Sequence, residues 1–146
     1  MGARMKRNDW DIQLAEFVDA ARDKQFDWRE WECLRFANEA VRVQTGEGFA
    51  DDWTNGYHSA KSAKKLYIEK QKSEPHNDII GAVDARMKRR AGRMPFRGDI
   101  VARIDANMPV LGVSFGVCVS DLVAFVSESG IKFDRPAETD VYWCVE

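Results

Sequence analysis

Histidine is scarce in this sequence. Only two occur in 146 residues, at positions 58 and 76, far along the chain from the cysteines at 33, 118 and 144. No standard zinc spacing can be drawn from such a set, and no metal or other cofactor is implied. The three cysteines form no CxxC pair and, being odd in number, cannot all pair with one another. They read as free thiols of a reducing compartment. A charge excess is missing too: 22 basic side chains face 24 acidic ones, a formal net charge of −2, so no global field collects nucleic acid or an acidic membrane. Long apolar runs are also absent. The longest, "VLGVSFGVCVSDLVAFV" at 110–126, is broken by Gly112, Gly116 and Asp121 and is shorter than a membrane span, which predicts strands and no membrane partner. The opening "MGARMKRN" is basic, but no secretory apolar stretch follows it, and Lys6 stands where a myristoylation site wants Ser or Thr. The sequence therefore predicts a protein made and folded in the cytosol.

What is present predicts one domain over 1–146, long enough to bury a core. A flexible lead over 1–8 is expected, then helices over 9–92, then an antiparallel sheet over 97–146. From Asp9, the residues Trp10, Leu14, Phe17, Val18 and Ala21 recur at helical spacing, with Asn8 or Asp9 placed to cap the first turn. A second helix carries Cys33, Phe36, Ala37, Ala40 and Val41 on one face and stops at Gly46. "EGFADDWTNGYH" at 47–58 reads as an irregular loop packed by three aromatics. Ser59 then caps a lysine-rich helix to about 72, and another helix is expected over 78–90, its "RMKRR" end placing cations at the negative pole of the dipole. Beyond Pro95 the texture turns β-branched and aromatic, with strands expected at 99–104, 110–119, 122–126, 131–133 and 141–145. Links as short as "SESG" and "DRPAE" favour hairpins and hence antiparallel pairing. Helices followed by a sheet of about five strands define the α+β class.

One residue type at one place suggests chemistry. Cys33 falls at the start of the second helix, where unpaired N–H groups and a partial positive charge favour a thiolate. A histidine base on an adjoining sheet would complete an acyl-transfer pair. Cys33 also continues the Phe36, Ala37 and Ala40 stripe, and the residues alone favour that reading of a small buried core side chain. His58, in a loop beside Tyr57, and His76, in a turn after Pro75, read as solvated groups more readily than as bases. "RGD" at 97–99 reads as a turn before a strand, and Cys118 and Cys144 as sheet or core residues. The basic stretch 86–97 reads as a solvated helix end, with nucleic-acid binding the weakest functional alternative given the near-neutral charge. Five tryptophans (10, 28, 31, 53 and 143) should mostly be core, and any exposed cluster of them would suit a protein interface.

An aromatic segment with Trp28, "WEC" opening a helix, "RGDIV" starting a sheet and a glycine-centred apolar strand together resemble the NlpC-type cell-wall cysteine peptidases of papain-like fold. The order is closer still to a small branch of that superfamily from the tail-tip modules of long-tailed bacteriophages. The matching positions are Trp28 and Cys33, Tyr57, Gly98 and Asp99, Gly116 to Val119, and Trp143, spread over about residues 10 to 146. The resemblance implies Cys33 in the nucleophile position. Glu32 stands where the family usually has Asp. The catalytic histidine position falls on Phe115 if "FGVCVS" is the histidine strand, or on Leu111 if "LGVSFG" is.

Neither register supplies a base, and a thiolate alone cannot protonate a leaving amine. The resemblance thus implies a papain-like scaffold that has lost catalysis. It would act by contact with other tail-tip proteins, such as the hub and central tail proteins, made in the host bacterial cytoplasm and placed in the virion tail if structural. The alternative is an active cell-wall peptidase or amidase with Cys33 as nucleophile and His58 as a substitute base.

Overall fold

The computed structural model of the protein describes residues 5–24, 27, 32–73, 78–105 and 112–145. Helix α1 spans Trp10–Ala21 and α2 spans Cys33–Thr45; α3, α4 and α5 span Asp51–Thr54, Ala60–Ser73 and Ile79–Asp84. Strands β1 (Ile100–Ile104), β2 (Val113–Cys118), β3 (Val123–Ser127), β4 (Gly130–Asp134) and β5 (Val141–Trp143) form one antiparallel sheet in the order β4-β3-β2-β1-β5. The class is α+β, with the helices first and the five-stranded sheet last, as the segregation of patterns predicts.

Side chains alternate across the sheet. Ile100, Ala102, Phe115, Val117, Ala124, Val126 and Trp143 face the helices and share one core with Leu14, Val18 and Ala21 of α1 and Cys33, Leu34, Phe36, Ala37, Ala40 and Val41 of α2. Every member of the predicted α2 stripe is buried. Gly46 ends α2 in the left-handed region at φ 95°, where its lack of a Cβ avoids strain. The opposite sheet face carries Val101, Cys118, Val123, Phe125 and Tyr142. There the 135–140 connection is held down by Arg103, whose guanidinium binds both Asp140 oxygens (3.0 and 2.9 Å) and the Arg135 carbonyl (2.9 Å).

Three local expectations need correction. Asp9 occupies the N-cap position of α1 without capping it through its side chain; its carboxylate accepts instead from the Gln13 side chain at 3.0 Å. Before α1, Arg7 N–H donates to the Gln44 carbonyl at 2.7 Å, and the Lys6 ammonium sits 3.7 Å from the Trp10 ring centroid. The 47–58 loop contains the single turn α3, with Phe49, Trp53 and Tyr57 all buried as its aromatic content suggests.

The third correction is the largest. The expected 78–90 helix stops at Asp84, and Arg89 forms an isolated antiparallel β-bridge with Trp143 of β5: Arg90 N–H donates to the Tyr142 carbonyl (2.9 Å) and Cys144 N–H to the Lys88 carbonyl (2.8 Å). Tertiary partners override the helical pattern. The β5 edge offers backbone hydrogen bonds, Trp143 Nε1 donates to Asp84 at 2.8 Å, and the arginines find acids at Asp52 (Arg86), Asp84 (Arg89) and Asp99 (Arg90). Residues 86–90 are therefore a sheet margin stitched by ion pairs rather than a solvated helix end. The Ser59 cap is present and reciprocal: Ser62 N–H donates to Ser59 Oγ at 3.1 Å and Ser59 N–H to Ser62 Oγ at 3.0 Å.

Candidate functional site at the start of helix α2

The start of α2 is set by Glu32. Its backbone is extended (φ −139°, ψ 178°), and its side chain turns back to accept from the N–H groups of Leu34 and Arg35, each at 2.8 Å. The same carboxylate accepts the Tyr57 hydroxyl proton, although Glu32 is wholly buried. Arg35 completes a clamp: it donates to the carbonyls of Thr54 (2.7 Å) and Tyr57, and its guanidinium stacks 4.4 Å from the Tyr57 ring centroid. Three side chains thus fix the loop at 54–57 onto the beginning of the helix.

Cys33 follows immediately and points inward, 2 % exposed. Burial above all, and then the Glu32 charge, push its thiol far above the ordinary range; the backbone hydrogen bonds of Phe115, Leu34 and Cys33 itself work in the other direction and are outweighed. The electrostatic logic is plain. A helix start holds one anion readily, and here the Glu32 carboxylate occupies that place. At neutral pH the sulfur is a protonated thiol in an apolar setting, a poor nucleophile.

Phe115 faces it from β2. This residue is fully buried, its backbone lies within hydrogen-bonding reach of the Cys33 sulfur, it pairs with Ala102 of β1, and its ring packs against Trp143 with centroids 6.3 Å apart. The structure therefore brings Cys33 and Phe115 together. It does not bring His58 to them: that residue is exposed, and its N–H donates to Ser62 Oγ at the start of α4. Leu111, His76, Trp28 and Trp31 lie outside the described residues.

The other candidates settle into structural places. Asp99 of the "RGD" tripeptide is fully buried; it takes a two-oxygen ion pair from Arg90 and the Phe96 N–H at 2.7 Å. Gly98 sits at φ 92°, and a Cβ there would collide with Gln44 Oε1, so glycine is required on two counts. Cys118 lies on β2 with its thiol pushed up to about 11, mainly by burial, and Cys144 is buried just after β5. Of the described tryptophans, 53 and 143 are buried and 10 is half-buried, so none is exposed. Large exposed apolar side chains are found instead at Met94 (58 %) and Phe96 (62 %), between Arg93 and Arg97. A groove of about 530 Å3 opens near them, lined by Arg89, Arg90, Arg93, Glu138 and Tyr142 among others, and Cys33 is not among its lining residues. Among the described residues no group of three or more His, Cys, Asp or Glu side chains could hold a metal ion, and no helix is long and apolar enough to cross a membrane.

Sequence reasoning missed the roles of Arg35, Asn38 and Gln44. Asn38 is buried on the polar margin of α2, accepting from Phe49 and Ala50 N–H (both 2.8 Å) and donating to Asp51 (2.7 Å). Gln44 reaches the Gly98 carbonyl at 3.1 Å. The loop and sheet partners of Asn38 and Gln44 lie 11 to 54 residues away, so no local pattern announces them.

These features define an α+β protein with a capped, buried helix-start thiol packed against a sheet. Residues 5–145 match the model of the family described as a domain of unknown function, DUF6950, and the chain belongs to that family. No curated protein and no solved structure matches it.

Proposed function

We propose that this chain is a papain-like, NlpC-type scaffold without catalytic activity, serving through protein–protein contacts as a structural or assembly component of a bacteriophage tail tip. One observation carries the loss of catalysis: the sulfur at the start of α2 is sealed in the core against Phe115, the residue that one of the two registers of the resemblance puts in the histidine position. An acyl-transfer site needs a thiolate, a base within hydrogen-bond reach and room for an acyl carbon. This thiol is protonated and enclosed, and the sheet residue whose backbone reaches it, Phe115, carries no base. The tail-tip assignment rests on the ordered resemblance of Cys33, Tyr57, Gly98–Asp99, Gly116–Val119 and Trp143. Contact surface is available where Met94 and Phe96 stand exposed between arginines, a residue mixture that favours protein interfaces.

Two measurements test the reading. Coexpression with the hub and central tail proteins of a long-tailed bacteriophage should give a complex that survives Cys33→Ser and is weakened by Phe96→Asp. Purified protein should release no product from muropeptides. Cleavage that disappears in Cys33→Ala would replace this reading with an active cell-wall peptidase or amidase.

A further inference from the structure

We infer that the outward faces of α1 and α4 are the two halves of a self-association surface, α1 of one copy lying antiparallel on α4 of the next. The inference does not depend on the function proposed above.

Each helix is turned by what it buries. α1 sets Leu14, Val18 and Ala21 into the core, which leaves Ile12, Glu16 and Asp19 exposed along its outer side. α4 is seated by the buried Ala63, by Tyr67 against Trp53 (ring centroids 6.0 Å apart) and by the Lys70 ammonium, 3.0 Å from Asp52. At about 100° per residue, those anchors turn Lys61, Lys64, Lys65, Ile68 and Lys72 to the opposite side. All five are exposed. Each stripe thus holds an isoleucine in the open, Ile12 at 57 % and Ile68 at 44 %.

The charges beside those isoleucines are opposite in sign and largely uncommitted. Cations elsewhere, such as Arg86, Arg89 and Arg103, are held by acids of their own chain. Among the described residues, the side chains of Lys61, Lys64, Lys65 and Lys72 make no ion pair, and neither does that of Glu16. Asp19 meets Arg22 through one oxygen at 3.6 Å, with both side chains exposed, a contact that competes weakly with a new partner.

Spacing selects the occupant and its direction. Glu16 and Asp19 lie four and seven residues after Ile12, whereas Lys64 and Lys61 lie four and seven residues before Ile68. The stripes are mirror images. Laid antiparallel with isoleucine on isoleucine, they set Glu16 against Lys64 about 6 Å along the axis and Asp19 against Lys61 about 10.5 Å along it, with Lys65 beside Glu16. A parallel arrangement matches only Glu16 with Lys72 and carries Lys61 and Lys64 past the start of α1. A nucleic acid would use the lysines alone and leave both the acidic stripe and the matched spacing unexplained. Since every copy carries both halves, the contact is head to tail and closes a ring or extends a row.

Analytical ultracentrifugation of the intact protein is the test. At low salt the average mass should rise above the 16.7 kDa chain mass as concentration increases to ~1 mM, and it should fall back in ~0.5 M salt, where exposed pairs are screened. Glu16→Lys with Asp19→Lys, and separately Lys61→Glu with Lys64→Glu, should each weaken self-association at least tenfold with unchanged far-UV spectra. An equimolar mixture of the two should associate again, because each altered face then meets one of opposite sign. A wild type that stays monomeric to ~1 mM at low salt overturns the inference. So does association indifferent to either pair of reversals, or a mixture that stays monomeric. Salt-sensitive retention on DNA that is lost with Lys61→Glu and Lys64→Glu, in a protein that does not self-associate, would assign the lysines to nucleic acid instead.

Discussion

Replacing Glu32 with alanine removes a carboxylate that does three things at once. It caps Leu34 and Arg35 N–H, accepts the Tyr57 hydroxyl, and raises the thiol of Cys33. Loss of an N-cap costs about 1 kcal/mol, up to ~2 in a protein. The buried Tyr57 hydroxyl left without its acceptor costs a further ~1–3 kcal/mol. Glu32→Ala should therefore destabilise by about 3 kcal/mol, a sizeable share of the ~5–15 kcal/mol that holds a domain folded. Tyr57→Phe keeps the ring under Arg35 and loses only the charge-assisted bond, about 1.5 kcal/mol. Glu32→Asp keeps a capping carboxylate but is one methylene too short to cap and reach Tyr57 together, so it should fall between the two. The assay is urea unfolding followed by tryptophan fluorescence with the m-value held constant, closed as a double-mutant cycle. The cycle should return a coupling of about 1–2 kcal/mol between positions 32 and 57. Strict additivity, or a Glu32→Ala loss below ~0.5 kcal/mol, would refute the claim that one buried carboxylate organises this end of the molecule.

Asp99→Ala leaves the Arg90 guanidinium, itself mostly buried, without its counter-ion; a loss of about 3–5 kcal/mol is expected, visible as a melting temperature lower by roughly 10 °C. Gly98→Ala forces a left-handed backbone on an L-residue and displaces Gln44, and should cost about 2–4 kcal/mol in the same melt. Stability should fall in alkali. The thiols of Cys33 and Cys118 are raised by folding, so unfolded chains lose those protons first. The stabilisation is complete below ~8.5 and shrinks above it by up to ~1.4 kcal/mol per pH unit for each thiol, the Cys118 share levelling off near its folded value of about 11. Urea midpoints at pH 7, 9 and 10 check this, and Cys33→Ala should flatten the slope.

Much of this architecture can be read directly from the chain. The α2 stripe from Cys33 to Val41 and the five β-rich runs are local patterns whose periodicity reflects burial on one face, and the folded protein keeps them. The buried cysteine was legible for the same reason, since it continues an apolar stripe. What could not be read locally depends on distant partners. The stretch at 86–90 looks helical and cationic in isolation, and only the β5 edge together with Asp52, Asp84 and Asp99 pulls it into the sheet. Glu32 looks like a small change from aspartate until Tyr57 is seen 25 residues away closing on it. The juxtaposition of Cys33 and Phe115 joins residues from the two halves of the chain and emerges only once β2 packs beneath α2.

The loss of a working nucleophile depends on the sulfur at the start of α2 being enclosed. Alkylation of the native protein with iodoacetamide at pH 7.5, followed by peptide mass spectrometry, addresses that directly. The expected result is no modification of Cys33 until denaturant unfolds the chain, and then modification at the rate of an ordinary thiol. Rapid, selective labelling of Cys33 in the folded protein at neutral pH would contradict it.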